Sequence, residues 1–197
     1  MDDTVLLRDG QSVSVRPIDP DDRERLRRAF DRPGTESRYR RFFSPVDHLT
    51  ESQLDYLTRV DHHGHEALVA VEDDEILGVA RYVRPVPDSP RAEVAVVVTD
   101  DWQGRGLGTQ LLDRLSRRAR VDGVHTFTAA ALSDNHSIID LLGGLGSTVK
   151  RQAGGGQVEL EIELEGEDSL RELMRHAASG AVQFAERIRS WRPTREG

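Results

Sequence analysis

Apolar and polar positions alternate through Ser12 to Ile18, with Val13 and Val15 on one side, and the pattern stops at Pro20. It predicts a strand running into a helix that Asp19 caps. Asp21 to Phe43 is arginine-rich and interrupted at Pro33-Gly34, which predicts two short helices, and Ser52 to Val60 predicts a third. Ala67 to Val71, Ile76 to Val83 and Ala92 to Thr99 are apolar runs rich in β-branched residues. They predict three successive strands, with Asp73-Asp74 at the first hairpin turn. Beyond the glycines at 104 to 108, Leu107, Leu111, Leu112, Leu115 and Ala119 recur at helical spacing, with arginines in the last turn. Cations suit that end of a helix dipole, and the apolar stripe predicts a helix lying on the sheet. Val124 to Leu132 predicts a further strand and Asn135 to Gly144 a short helix. Thr148 to Ala153 and Gln157 to Leu164 then form a hairpin across Gly154-Gly155-Gly156. About seven strands interleaved with helices place the chain in the α/β (α+β) class.

The last predicted strand has the cleanest alternation. Val158, Leu160, Ile162 and Leu164 face one side and Glu159, Glu161, Glu163 and Glu165 the other. One solvated face explains this, and a row of charge blocks edge pairing. An acidic wall that meets a cationic substrate is the functional alternative. From Leu170 to Trp191, residues Leu170, Leu173, Met174, Ala177, Ala181, Phe184, Ile188 and Trp191 form a helical stripe broken at Gly180. The stripe is expected to pack back on the sheet or to meet a second copy or partner. The chain thus divides into a domain at 1–166 and a C-terminal helical extension at 167–197.

With 197 residues, one domain plus a terminal element is expected, large enough for an ordinary hydrophobic core. The absence of cysteine excludes disulfides, thiol catalysis and thiolate metal sites. Met1 is followed by Asp2 and Asp3, and no apolar run approaches about 18 residues. Neither a signal peptide nor a membrane span is expected, and the chain reads as cytoplasmic. A net charge of -8 disfavours nucleic acid and anionic lipid as partners of the whole molecule. Of 27 basic residues only Lys150 is a lysine, a skew that GC-rich coding explains most simply, the functional alternative being a lysine-modifying enzyme that avoids modifying itself.

Candidate chemistry concentrates in Glu93 to Thr109, where a strand runs through a glycine-rich turn into an amphipathic helix. Backbone N–H groups at such a turn converge on phosphate oxygens, because glycine permits close approach and the helix dipole favours anions. No Lys-Ser or Lys-Thr follows the glycines, so the turn is not a P-loop. A dinucleotide fingerprint would need glycine where Thr109 stands.

The segment resembles the pyrophosphate loop of the GNAT superfamily of N-acetyltransferases, with Gln103, Gly106 and Gly108 at the pattern positions. The order of elements agrees over roughly residues 12 to 165, including Asn135 at the start of a short helix. The resemblance implies a GNAT fold, a central mixed and mostly antiparallel sheet flanked by helices, with acetyl-CoA as donor. It implies that backbone near Val96 and Val98 holds the pantetheine and that Asn135 reaches the cofactor. The loop Gln103, Gly104, Arg105, Gly106, Leu107, Gly108 and Thr109 would hold the pyrophosphate.

Within that superfamily the chain is most similar to the Pat-type protein lysine acetyltransferases of actinobacteria. The similar stretches are VRPIDPDD (15 to 22), SRYRRFF (37 to 43), LTESQLDYLTRVD (49 to 61), ALVAVEDDEILGVARYVR (67 to 84) and RAEVAVVVTDDWQGRGLG (91 to 108). The general base of those enzymes corresponds to Glu93. Physical chemistry agrees, since an acceptor lysine is protonated at neutral pH and must lose a proton before attack. A carboxylate beside Val94, Ala95, Val96, Val97 and Val98 is expected to be desolvated, which would raise its pKa. A solvated glutamate, or one paired with Arg81 or Arg91, is the bland alternative. Many family members place a tyrosine acid in the short helix, where this chain has Leu142. Water is then expected to protonate the thiolate, and the N–H of Val96 is the candidate oxyanion donor.

Asp61-His62-His63-Gly64-His65-Glu66 carries ligand-type side chains but is too compact to wrap one ion, so a polar loop and no metal are expected. Arg38, Tyr39, Arg40, Arg41, Phe42 and Phe43 are expected to form a helix with an aromatic core face and solvated arginines, or to shape the acceptor groove. Three function classes follow: a protein lysine acetyltransferase, whose targets by resemblance include lysines on acyl-CoA synthetases, a small-molecule amine acetyltransferase, and an acyl-CoA-binding module without turnover. A monomer or a homodimer fits each.

Overall fold

The computed structural model describes residues 3–31 and 48–164. The chain divides into units at 1–164 and 165–197, and the second lies outside the described residues, as do the 38–43 cluster and the 170–191 stripe. The elements are β1 (Asp3–Leu6), β2 (Ser12–Pro17), α1 (Arg23–Asp31), α2 (Glu51–Thr58), β3 (His65–Glu72), β4 (Glu75–Val83) and β5 (Arg91–Val98). There follow α3 (Leu107–Val121), β6 (Thr126–Leu132), α4 (His136–Gly143), β7 (Gly146–Gly154) and β8 (Gln157–Leu164). They build one 8-stranded sheet in the order β1-β2-β3-β4-β5-β6-β8-β7. Every neighbouring pair is antiparallel except β5 and β6. The seven strands expected from pattern are all present, and β1 is the addition. Four residues with only Val5 buried offer too little alternation to flag a strand.

Local chemistry sets the ends of the elements. Asp19 accepts from the Asp21 N–H and donates its own N–H to the Asp22 carboxylate, a reciprocal cap that starts a single 3-10 turn ahead of α1. Asp22 is fully buried and held by Arg16 at 2.6 Å and Arg25 at 3.0 Å. Burial would raise its pKa, but these hydrogen bonds and charges outweigh that and hold it below the usual carboxylate value. Thr50 and Gln53 cap α2 in the same reciprocal way. Asp73 and Asp74 both take positive φ, which closes the β3–β4 hairpin.

Alternation divides the core between the two faces of the sheet. Leu68 and Ala70 of β3 join Leu111, Leu112 and Leu115 of α3 in one apolar cluster. Ala67 and Val69, the intervening residues, join Leu26 and Phe30 of α1 and Leu54 of α2 in the other. On β8, Leu160 and Ile162 belong to the α3 side, so Glu159, Glu161 and Glu163 stand on the opposite face. Among the described residues no helix is long and apolar enough to cross a membrane.

Candidate active site

The site begins where the sheet parts. β5 and β6 are in parallel register only at Arg91–Thr126, Ala92–Phe127 and Glu93–Thr128. β5 stays paired with β4 as far as Val98, while β6 follows β8 to Leu132, so a wedge opens beyond Glu93. Thr99 donates its N–H to Leu77 O on the β4 side, at 2.9 Å. Backbone direction alternates along a strand, so Val96 and Val98 turn their N–H and C=O groups away from β4, towards the wedge.

Glu93 stands at the apex of the wedge on the face opposite α3. In register beside it are Val83 of β4 and Thr128 of β6, with Glu161 of β8 one strand beyond. Its side chain is exposed, which corrects the expected desolvation. A run of valines buries a carboxylate only where a neighbouring strand or helix covers it, and β6 turns away here. Neither candidate arginine pairs with Glu93 among the described residues. Arg91 bonds Glu161 at 2.9 Å and holds that carboxyl below its usual pKa. Arg81 reaches the other way, donating to Leu57 O at 3.2 Å and contacting His65 Nε2 at 3.1 Å. His65, buried beneath Tyr56 with ring centroids 5.0 Å apart, has its pKa lowered to about 4 by burial and then by the Arg81 cation.

The glycine-rich turn lies at the far end of β5. Gly104 and Gly106 have φ of 75° and 89°, a left-handed conformation that disfavours a side chain. Gly106 precedes the first turn of α3, and among the described residues no side chain caps that turn. The N–H groups of Leu107, Gly108 and Thr109 therefore project from the helix start, as an anion requires. Leu107 is itself buried, so only its backbone is offered. A Cβ on Gly108 would sit 3.0 Å from Leu141 Cδ2, so glycine is what lets α4 approach α3 here. Gln103 spends its side chain on Val98 O (3.1 Å) and Asp100 Oδ1 (2.9 Å), tying the turn to the end of β5. Arg105 lies over Trp102 and bonds Asp9 at 3.2 Å and Gln11 at 2.7 Å. The Arg8 N–H donates to Arg105 O at 3.1 Å, so the β1–β2 hairpin buttresses the loop.

Asn135 accepts from the Ile138 N–H at 3.4 Å and thereby starts α4, leaving its amide N–H₂ for other work. Leu142 is buried in the core, and Leu141 is the residue of that turn beside the loop. The histidine loop is held internally: Asp61 Oδ1 accepts from the N–H groups of His63 and His65, and His62 meets Glu66 at 2.9 Å. Pattern missed Thr128 and the Arg81–His65 contact, because both depend on which strands become neighbours.

A sheet that parts beside a carboxylate, with an uncapped glycine turn at the other end of the same strand, is the arrangement that the resemblance to acyl-CoA-dependent acyltransferases implies. The pattern of the acetyltransferase (GNAT) family matches residues 25–146, more than half of the chain, and the chain belongs to that family. Its members transfer acetyl from acetyl-CoA. The chain is 35% identical over 161 residues to the acetyltransferase Pat of Mycolicibacterium smegmatis, covering 80% of this chain and 48% of that protein. It thus spans about half the length of this relative. The crystal structure of the GNAT domain of S. lividans PAT superposes with a TM-score of 0.76 at 32% identity, covering 83% of this chain and 97% of that one. A further relative, 40% identical over 113 residues, is an L-methionine sulfoximine/L-methionine sulfone acetyltransferase of Pseudomonas aeruginosa, covering 55% of this chain and 64% of that protein.

Proposed function

We propose that residues 1–166 transfer the acetyl group of acetyl-CoA to the ε-amine of protein lysines, with Glu93 as general base. The observation that carries this reading is the position of Glu93, the last residue of β5 in register with β6, on the strand that ends at the glycine turn. From Glu93 to Val98 the strand runs about 17 Å, and an extended pantetheine arm would lie along it against the backbone of Val96 and Val98. The pyrophosphate would rest on the N–H groups of Leu107 to Thr109, and the Asn135 amide would reach the arm from the α4 side.

In this arrangement Glu93 takes a proton from the acceptor ammonium, directly or through one water. The neutral amine then attacks the thioester carbonyl, and the Val96 N–H supports the developing oxyanion. The buried Leu142 leaves protonation of the departing thiolate to water. Similarity to the Pat proteins supports a protein acceptor. The sulfoximine acetyltransferase relative supports a second reading, in which the acceptor is a small amine.

The test is incubation of the protein with acetyl-CoA and a dialysed bacterial lysate, beside Glu93→Gln, followed by mapping of acetyl-lysines. A few strongly modified sites are expected, with kcat reduced about 10²–10⁴-fold in the variant and acetyl-CoA affinity retained. An unchanged rate in the variant rejects Glu93 as base, and equal weak background in both turns the assignment to small amines.

A further inference from the structure

Lys150 is the one lysine in a chain of 197 residues, and it lies on β7, the last strand of the sheet. β7 pairs with β8 on one side, and all of its residues from Ser147 to Gly154 are exposed. No carboxylate pairs with Lys150 among the described residues. Lys150 is in register with Leu160, whose side chain belongs to the core on the α3 side. Glu93 is on the opposite face, in the row that contains Thr128 and Glu161. β6 and β8 also intervene, so the two strands are three spacings apart, about 14 Å. Lys150 therefore cannot reach the Glu93 of its own chain, although its exposure leaves it open to another copy.

That other copy offers a complementary surface. Beside Glu93, the open face of the sheet carries Glu159, Glu161 and Glu163 against Arg91 and Arg151. Lys150 is an exposed cation on an extended strand of a molecule whose net charge is -8, while Arg151 turns to the other face and lies 3.9 Å from Glu161. Opposite charge on the two surfaces steers such an encounter.

We propose that Lys150 is a site of self-acetylation in trans, one copy of the chain modifying Lys150 of another. The inference rests on the lysine acetyltransferase reading and adds a second copy of this chain to its acceptors. The Lys150 ammonium gives one proton to Glu93 of the acting copy. Its free amine forms a C–N bond to the thioester carbonyl, the C–S bond breaks, and a second amine proton passes through water to CoA, which leaves as the thiol. The third proton stays on the amide, and Glu93 returns its proton to water. Arginine is not an acceptor amine here, so Lys150 carries the one side-chain amine that the chain offers.

The test mixes two variants with acetyl-CoA: Lys150→Arg, active but without the acceptor, and Glu93→Gln, carrying the acceptor but without the base. Intact mass and peptide mapping should show one acetyl group on Lys150 of the Glu93→Gln protein, at an initial rate that rises with the concentration of each partner. The Lys150→Arg protein should take no side-chain acetyl while modifying lysate lysines at the wild-type rate. Modified lysate lysines with Lys150 left bare, or Lys150 modified equally with and without the active partner, would overturn the proposal and leave the lysine acetyltransferase reading standing. An absence of lysate acetylation would remove that reading, and this inference with it.

Discussion

Two side chains on the same face of the sheet show how neighbours rather than residue type decide charge. Glu93 is exposed although valines follow it, and His65 is buried although polar residues surround it in sequence. For His65 the consequence is a pH dependence of stability. Its folded pKa is about 4 against an ordinary 6.5, so between these values the unfolded chain binds the proton more readily. Stability from this group is complete above pH 6.5 and is lost as pH falls towards 4, by roughly 2–3 kcal/mol. Chemical denaturation at a series of pH values should show this decline. His65→Gln, which keeps a polar group beside Arg81, should flatten it over that window. An unchanged slope in the variant would assign the decline to other groups.

Elements carry the next level of the argument, and the loop ahead of α3 depends on backbone shape more than on side-chain chemistry. Gly106 has φ of 89°, and an added Cβ would lie 3.3 Å from Arg8 Cγ. Gly106→Ala should cost about 1–2 kcal/mol of stability and lower acetyl-CoA affinity by tenfold or more, because the first-turn amides no longer converge. Calorimetric titration beside a thermal melt separates the two effects, and an affinity at the wild-type value would place the diphosphate elsewhere. Most of this architecture was legible in sequence. The alternation of β8, the stripe of α3 and the glycines at 104, 106 and 108 each report a local geometry that a window of a few residues determines. The cap at Asp19 reports one too. What pattern did not disclose was non-local: β1 is defined by pairing with β2, and the exposure of Glu93 by the departure of β6. The side-chain duty of Arg105 is non-local as well, since the β1–β2 hairpin supplies its partners.

For the whole molecule, the sheet is two antiparallel blocks, β1 to β5 and β6, β8 and β7, joined by a parallel register of three residues on each side. A junction so brief is a seam. The cooperativity of the folded unit is weakest there, and the C-terminal block is where sub-global opening should begin. An acyl-CoA lying in the wedge would supply the missing rungs between the blocks, so its binding energy would also act as a fastener. Amide hydrogen exchange should find β6, β7 and β8 opening ahead of β3 and β4 in the free protein. At acetyl-CoA 100-fold above its Kd, protection of the C-terminal block should rise by up to about 2.7 kcal/mol, with little change in β3. Uniform protection across the sheet, indifferent to ligand, would show that the packing of α3 and α4 already closes the seam. A gap that admits the donor would thus make the enzyme's own rigidity depend on being loaded.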